Sequence, residues 1–349
     1  MYSENEADDF LSDFGDLGLS IEIENTDLYA DYLNNVNKKS KNNYDDAWKL
    51  YLDKITAFCR TEGCDLLDIL GRVDTPGTLD NHLLIDEVAR QINYDLCDFA
   101  DAPENKKLIT LDGRYALVDK NTLLPKVAEL LAPHVGPDTQ AVVELGGGWG
   151  KNLAYLFDML GRRDIVYFNC EPSPHGRAAF EVLFKYIGGV EHHSREFHFE
   201  IPNMDFLGRF SNVLVFTVAS VEQVPFLPRD FVDRVLSAAE TVTFTLFEPI
   251  GWQQFSNITR FVLLRFLQES SGQVPVEEYH LFRHMFRFTD EDFHDNAASW
   301  ALSCRYNMNL LRLVKRAVAE GHGKLIDVQY DLFSENPINP YSLIVMTNA

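Results

Sequence analysis

One short segment constrains this chain more than any other: VVELGGGWGKN, residues 142–152. An apolar run ends on Glu144 and Leu145. Gly146, Gly148 and Gly150 follow at alternate positions, and a helical pattern starts at Lys151. Glycine lacks the Cβ that would keep a ligand away from the backbone, so a turn of this kind lets the main chain approach one closely. A helix that begins there points unpaired N–H groups and the positive end of its dipole at the same spot. The turn needs a strand that stops and a helix that starts at one edge of a sheet, which selects an α/β fold.

The flanking texture agrees. Apolar strand patterns at 141–145, 164–170, 196–201, 212–220 and 241–249 alternate with helical patterns at 151–160, 175–186 and 228–239. Such alternation predicts a parallel sheet covered by helices. Helices are expected at 122–131, 255–269 and 299–320, with a less regular insert between residues 270 and 296. Two strands close the chain, 324–333 and 341–347. Their connection is too short for a parallel crossover, so the last strand is expected to run antiparallel to its neighbour. Residues 107–118 read as a strand pair around the Asp112-Gly113 turn.

Three nucleotide-binding patterns compete for the glycine turn. A phosphate loop requires GxxxxGK followed by Ser or Thr, whereas Lys151 is followed by Asn152 and position 145 is Leu. The dinucleotide pattern GxGxxG fails because Gly150 comes one residue early. The pattern acidic-x-Gly-x-Gly-x-Gly is matched at every position by Glu144, Gly146, Gly148 and Gly150. Here the chain resembles the class I S-adenosylmethionine-dependent methyltransferases, from about Thr139 to its end. The resemblance implies a Rossmann-like, seven-stranded, mostly parallel sheet with an antiparallel last strand, and S-adenosyl-L-methionine as cofactor. It implies that Glu171, 27 residues after Glu144, accepts hydrogen bonds from both ribose hydroxyls. Pro172 and Ser173 would line the adenine side, Asn203, Met204 or Asp205 would reach the adenine edge, and Asn152 and Thr217 would complete the cofactor set. The loop from Thr217 to Pro225 lacks the Asn-Pro-Pro-Tyr type motif of the family's DNA and glutamine amino-group methylators. It is weakly similar to sugar and small-molecule O-methyltransferases.

Methyl transfer to a hydroxyl calls for a base. His280 and His284, spaced i, i+4 in YHLFRHMFRF, are candidates for the acceptor pocket, with Tyr279, Arg283 and Arg287 beside them. Two histidines without a third ligand do not make a metal site, and no metal is expected. Glu222 and Glu248, at the ends of the fourth and fifth strands, are the other catalytic candidates, because ligands of open α/β sheets lie at the carboxyl ends of strands.

The first 37 residues contain no Lys or Arg and ten Asp and Glu, interspersed with apolar side chains from Phe10 to Ile23. The chain is therefore divided into an acidic arm at 1–43, a helical N-terminal subdomain or cap at 44–106, and the methyltransferase-like domain at 107–349. A formal charge of −22, from 31 basic against 53 acidic residues, disfavours nucleic acid and anionic lipid as partners. Five scattered cysteines without CxxC spacing, and a start lacking a basic and apolar leader, point to a cytoplasmic protein. The expected activity is O-methylation of a small molecule, sugar or natural-product peptide. The alternatives are N-methylation of an amine or peptide, or a catalytically silent cofactor-binding regulatory subunit. A homodimer is compatible with all of these.

Overall fold

A computed structural model of the chain describes residues 44–61, 64–73, 105–270 and 288–349. The N-terminal arm, residues 74–104 of the expected helical subdomain, and His280, His284, Tyr279, Arg283 and Arg287 lie outside the described residues.

The strands are β1 (Lys106–Leu111), β2 (Arg114–Asp119), β3 (Ala141–Leu145), β4 (Val166–Cys170), β5 (His192–Arg195), β6 (Asn212–Val218), β7 (Thr241–Glu248), β8 (Lys324–Ser334) and β9 (Tyr341–Thr347). They form one sheet in the order β2-β1-β8-β9-β7-β6-β3-β4-β5. The strands from β5 to β7 pair in parallel, and β9 inserts antiparallel between β7 and β8. The sheet has nine strands rather than seven. Leaving out β1 and β2 restores the seven-stranded order. The hairpin joins the edge through Thr110 and Leu111, which pair with Ser334 and Phe333 of β8. Its Asp112-Gly113 turn, with φ of 49° and 71°, donates two backbone N–H groups to Leu332 and Asp331.

The helices are α1 (44–59), α2 (Leu66–Val73), α3 (Val127–Leu131), α4 (Lys151–Leu160), α5 (Pro174–Ile187), α6 (Phe231–Leu236), α7 (Ser256–Ser270), α8 (Phe293–Cys304) and α9 (Leu310–Ala319). Alternate residues of each central strand feed opposite layers, as in a sheet buried on both faces. Val142, Tyr167, Leu214 and Phe216 pack with α1 to α5. Val143, Phe168, Val215 and Phe244 pack with α6 and α9.

Several expected boundaries shift for identifiable reasons. The alternation of Phe197, Phe199 and Ile201 imitates a strand. Residues 196–201 instead form a loop whose two phenylalanines enter the core while Ile201 stays exposed, and β5 lies just before it. Pro125 disfavours helical backbone at Leu124, so α3 begins only at Val127. The long helix expected at 299–320 is two helices, α8 starting earlier at Phe293 and α9 ending at Ala319. Arg305 takes a left-handed φ of 55° between them.

The break between α8 and α9 is stitched to the β6 loop. Asn307 Oδ1 accepts the N–H groups of Asn309 and Leu310. Asn307 Nδ2 donates to Val224 O, and its backbone N–H donates to Glu222 O. Asn309 bonds both N and O of Leu227. Asn307→Ala would remove the side-chain partners of the Asn309 and Leu310 N–H groups and of Val224 O, at a cost of about 1–3 kcal/mol. Urea unfolding should show that loss, and an unchanged midpoint would contradict it.

Candidate functional site

The chain runs β3, β4, β5 outward, then returns across β3 to β6. The carboxyl ends of β3 and β6 therefore flank a topological switch point, where open α/β sheets form a crevice. The glycine turn stands there. Gly146, Gly148 and Gly150 all adopt positive φ, at 73°, 54° and 82°. Gly150, a residue without a side chain, stands at the N-cap of α4. At Gly148 a Cβ would lie 2.8 Å from the ring of Trp48, on the face by which any ligand must approach the turn.

Glu144 and Asn169 pair across β3 and β4 beneath the turn. Glu144 Oε1 accepts from Asn152 Nδ2 at 2.6 Å, tying the turn to α4. Asn169 Nδ2 donates to Gly148 O at 2.8 Å. Glu144 Oε2 and Asn169 Oδ1 are buried without partners, and both lie next to Gly147. Burial pushes the Glu144 carboxyl up to about 8.

Glu171 follows β4 and is almost wholly buried. Its Oε2 accepts Gly148 N–H at 3.0 Å, and its Oε1 accepts Ser173 N–H at 3.0 Å. The Trp48 indole ring packs beside the same carboxylate, against Gly148 and Gly176, and lowers its pKa. Burial raises its pKa, and these donors together with Arg177 oppose that rise. Ser173 caps α5 by accepting Gly176 N–H at 3.0 Å. Pro172 O accepts from Arg177. Beyond β5, Asn203 and Asp205 are exposed and share an Asx turn, while Met204 is buried. Thr217 is buried inside β6.

On the other side of the crevice, the loop after β6 passes through Ala219, with φ of 48°, and Ser220, whose Oγ donates to Leu145 O. Glu248 supports this loop. Its two oxygens accept the N–H groups of Ser220, Val221 and Glu222 at 3.1–3.2 Å. Burial pushes the Glu248 carboxyl up to about 7, and those bonds oppose that rise. Glu222 instead receives side-chain amides, Gln223 Nε2 at 2.9 Å and Asn339 Nδ2 at 3.3 Å. Burial, then the neighbouring Glu248 charge, pushes its carboxyl up to about 8. The phenols of Tyr44, Tyr306 and Tyr341 lie within electrostatic reach of Glu222, and burial followed by that carboxylate raises all three. The two acidic candidates thus separate: Glu248 holds the loop, and Glu222 is placed among groups of four different segments.

Sequence reasoning did not single out Tyr44, Trp48, Tyr306, Tyr341, Asn339 or the pair His294–Asp331. In that pair His294 Nε2 lies 3.0 Å from Asp331 Oδ2 near the end of β8. Asp331 is buried at a left-handed φ of 52°, beside Gly251. The aromatic residues carry no local motif, since the fold gathers them from α1, from the α8–α9 break and from the start of β9.

No family model and no curated protein matches the chain. Among solved structures it is similar to geranyl diphosphate C-methyltransferase from Streptomyces coelicolor A3(2), at 11% identity over 63% of this chain and 74% of that chain, with a TM-score of 0.36. It is similar to magnesium protoporphyrin IX methyltransferase from Synechocystis PCC 6803, at 10% identity over 64% and 80%, with a TM-score of 0.37. A SAM dependent methyltransferase from Aquifex aeolicus gives 11%, 64%, 89% and 0.35. At these values the likeness concerns the fold alone.

The buried carboxyls set a pH dependence. Folded Glu144 keeps its proton up to about pH 8, against an ordinary value of 4.5. Across that window the native state binds more protons than the unfolded state, so stability is full below it and falls as pH rises through it. Glu222 and Glu248 act in the same direction. The melting temperature should fall across this window, and Glu144→Gln should make the slope shallower. An unchanged slope would show that Glu144 is ionised in the fold.

Proposed function

We propose that this chain is an S-adenosylmethionine-dependent methyltransferase acting on an oxygen of a small molecule, sugar or peptide. The observation that carries the reading is the pairing of the left-handed glycine turn with the Glu171 carboxylate at the end of the adjacent strand. The residues fit the cofactor. Glu171 already has the Trp48 indole beside it, so it is placed to bond donors such as the two hydroxyls of a ribose. The N-terminus of α4 would face the cofactor's methionine portion, with the Trp48 ring lying over Gly148 beside it.

S-adenosylmethionine supplies an electrophilic methyl group on a sulfonium. Gly146 to Gly150 and Glu171 would hold it at the switch point. The β6 loop, fixed by Glu248 and Asn307, would present Glu222 to the acceptor. Glu222 would take the acceptor's proton as the new O–C bond forms and the S–C bond breaks. A base held up near 8 is matched to that task. The buried Glu222 carboxyl beside Glu248 favours a second reading, N-methylation of an amine, in which Glu222 holds the acceptor's ammonium before taking its proton.

Two outcomes are expected. Glu171→Ala should weaken S-adenosylhomocysteine binding by about 1.5–3 kcal/mol, and Glu171→Gln by less; equal affinity in calorimetry would remove the ribose role. With an acceptor found by screening for a methyl-sized mass gain, turnover should rise with pH as Glu222 loses its proton. Glu222→Gln should lower turnover by about 100-fold and flatten that profile. A Glu222→Gln enzyme with the native profile would exclude Glu222 as the base.

A further inference from the structure

We infer that α1 is a latch on the cofactor crevice, with the Trp48 indole set beside Glu171 in place of the cofactor's ribose. The inference rests on the cofactor reading above. It starts from the carboxylate itself. A carboxylate offers about four acceptor positions. Gly148 N–H and Ser173 N–H take two of those on Glu171, and the Trp48 indole, whose N–H is its sole side-chain donor, stands beside the positions that remain. A ribose with two hydroxyl donors must compete with the indole for them. The indole also occupies the space. Its ring atoms lie 2.8–3.3 Å from a Cβ built on Gly148, and 3.2 Å from one built on Gly176. It is therefore wedged between the glycine turn and the start of α5, where the cofactor must enter.

The rest of α1 holds the wedge in place. Asp45 accepts from Ser173 Oγ and lies 2.8 Å from His175 Nδ1, so the helix is pinned to the start of α5 one turn before Trp48. Tyr51 stacks on Trp149 of the glycine turn one turn after it, with ring centroids 5.6 Å apart. Tyr44, at the head of the same helix, is within electrostatic reach of Glu171 and of Glu222. One rigid element thus touches both the cofactor side and the acceptor side. A cofactor that takes Glu171 must displace Trp48, and the displacement shifts Tyr44 beside Glu222. Cofactor entry would then reshape the acceptor pocket. The latch also taxes affinity, because the cofactor binds only the fraction of molecules with α1 released.

The test is calorimetric titration of the full chain with S-adenosylhomocysteine. Wild type is compared with Trp48→Phe, which keeps a ring and removes the donor, and with Asp45→Asn, which loosens the pin while leaving Trp48 in place. Both variants should bind about three- to tenfold more tightly than wild type, since the indole's competition for Glu171 is weakened in the closed state. Melting curves would show that both remain folded. Equal or weaker binding by the folded variants, beside measurable binding by wild type, would overturn the latch and leave the cofactor reading intact. Absence of binding by all three would overturn the cofactor reading and the latch with it.

Discussion

The Glu171 carboxylate is the point on which the site depends. It is buried at the end of β4 and bonded to the glycine turn through Gly148 and to the start of α5 through Ser173, and the Trp48 ring of α1 packs beside it. A buried carboxylate is costly unless its oxygens are satisfied. These bonds therefore lock three separate segments into one arrangement. Beneath them, Glu144, Asn169 and Asn152 form a second polar layer that fixes the turn's path. Two adjacent strands thus contribute a carboxylate or amide pair whose function is to hold a backbone loop in place, and the N–H groups of Gly146, Gly147, Gly148 and Gly150 are bonded within the fold.

The loop after β6 is built on the same principle with different parts. Glu248 gathers three successive N–H groups of the β6 loop, and Asn307 and Asn309 fasten the other end of that loop to the α8–α9 break. Glu222 lies between these anchors. Two carboxyls in close proximity do not ionise equally. Burial raises both carboxyls; the backbone donors around Glu248 oppose the rise there, while the Glu248 charge adds to it at Glu222. Their division of labour follows from the hydrogen bonds each makes rather than from residue type.

Much of this was legible in the sequence because it is local. The glycine turn, the strand-end acids Glu144 and Glu171, the apolar runs of β3, β6 and β7, and the antiparallel β9 each carry their signal within a few residues. What was not legible depends on pairing at a distance. Nothing in the segment 106–119 says that its hairpin will add to the edge of β8. The alternation at 196–201 is a strand pattern in sequence, yet its phenylalanines enter the core from a loop. Glu222 and Glu248 looked equivalent until the backbone N–H groups around one of them were placed. Tyr44 and Trp48 belong to an ordinary amphipathic helix, and only its docking against the turn sets them beside Glu171 and Glu222. His280 and His284, which the sequence made prominent, lie outside the described residues, and the acceptor rim is built here from Glu222 and its aromatic neighbours.

The glycine turn as a cofactor cradle is tested most directly by titrating S-adenosylhomocysteine into the wild-type chain and into Gly148→Val, with the melting temperature of each recorded. A branched side chain at Gly148 would fill the face by which a ligand reaches the turn, where a Cβ alone already meets Trp48 at 2.8 Å. The expected result is saturable binding of one molecule per chain by wild type and none by a folded Gly148→Val. Equal affinity of the two proteins, or no binding by wild type, would contradict it.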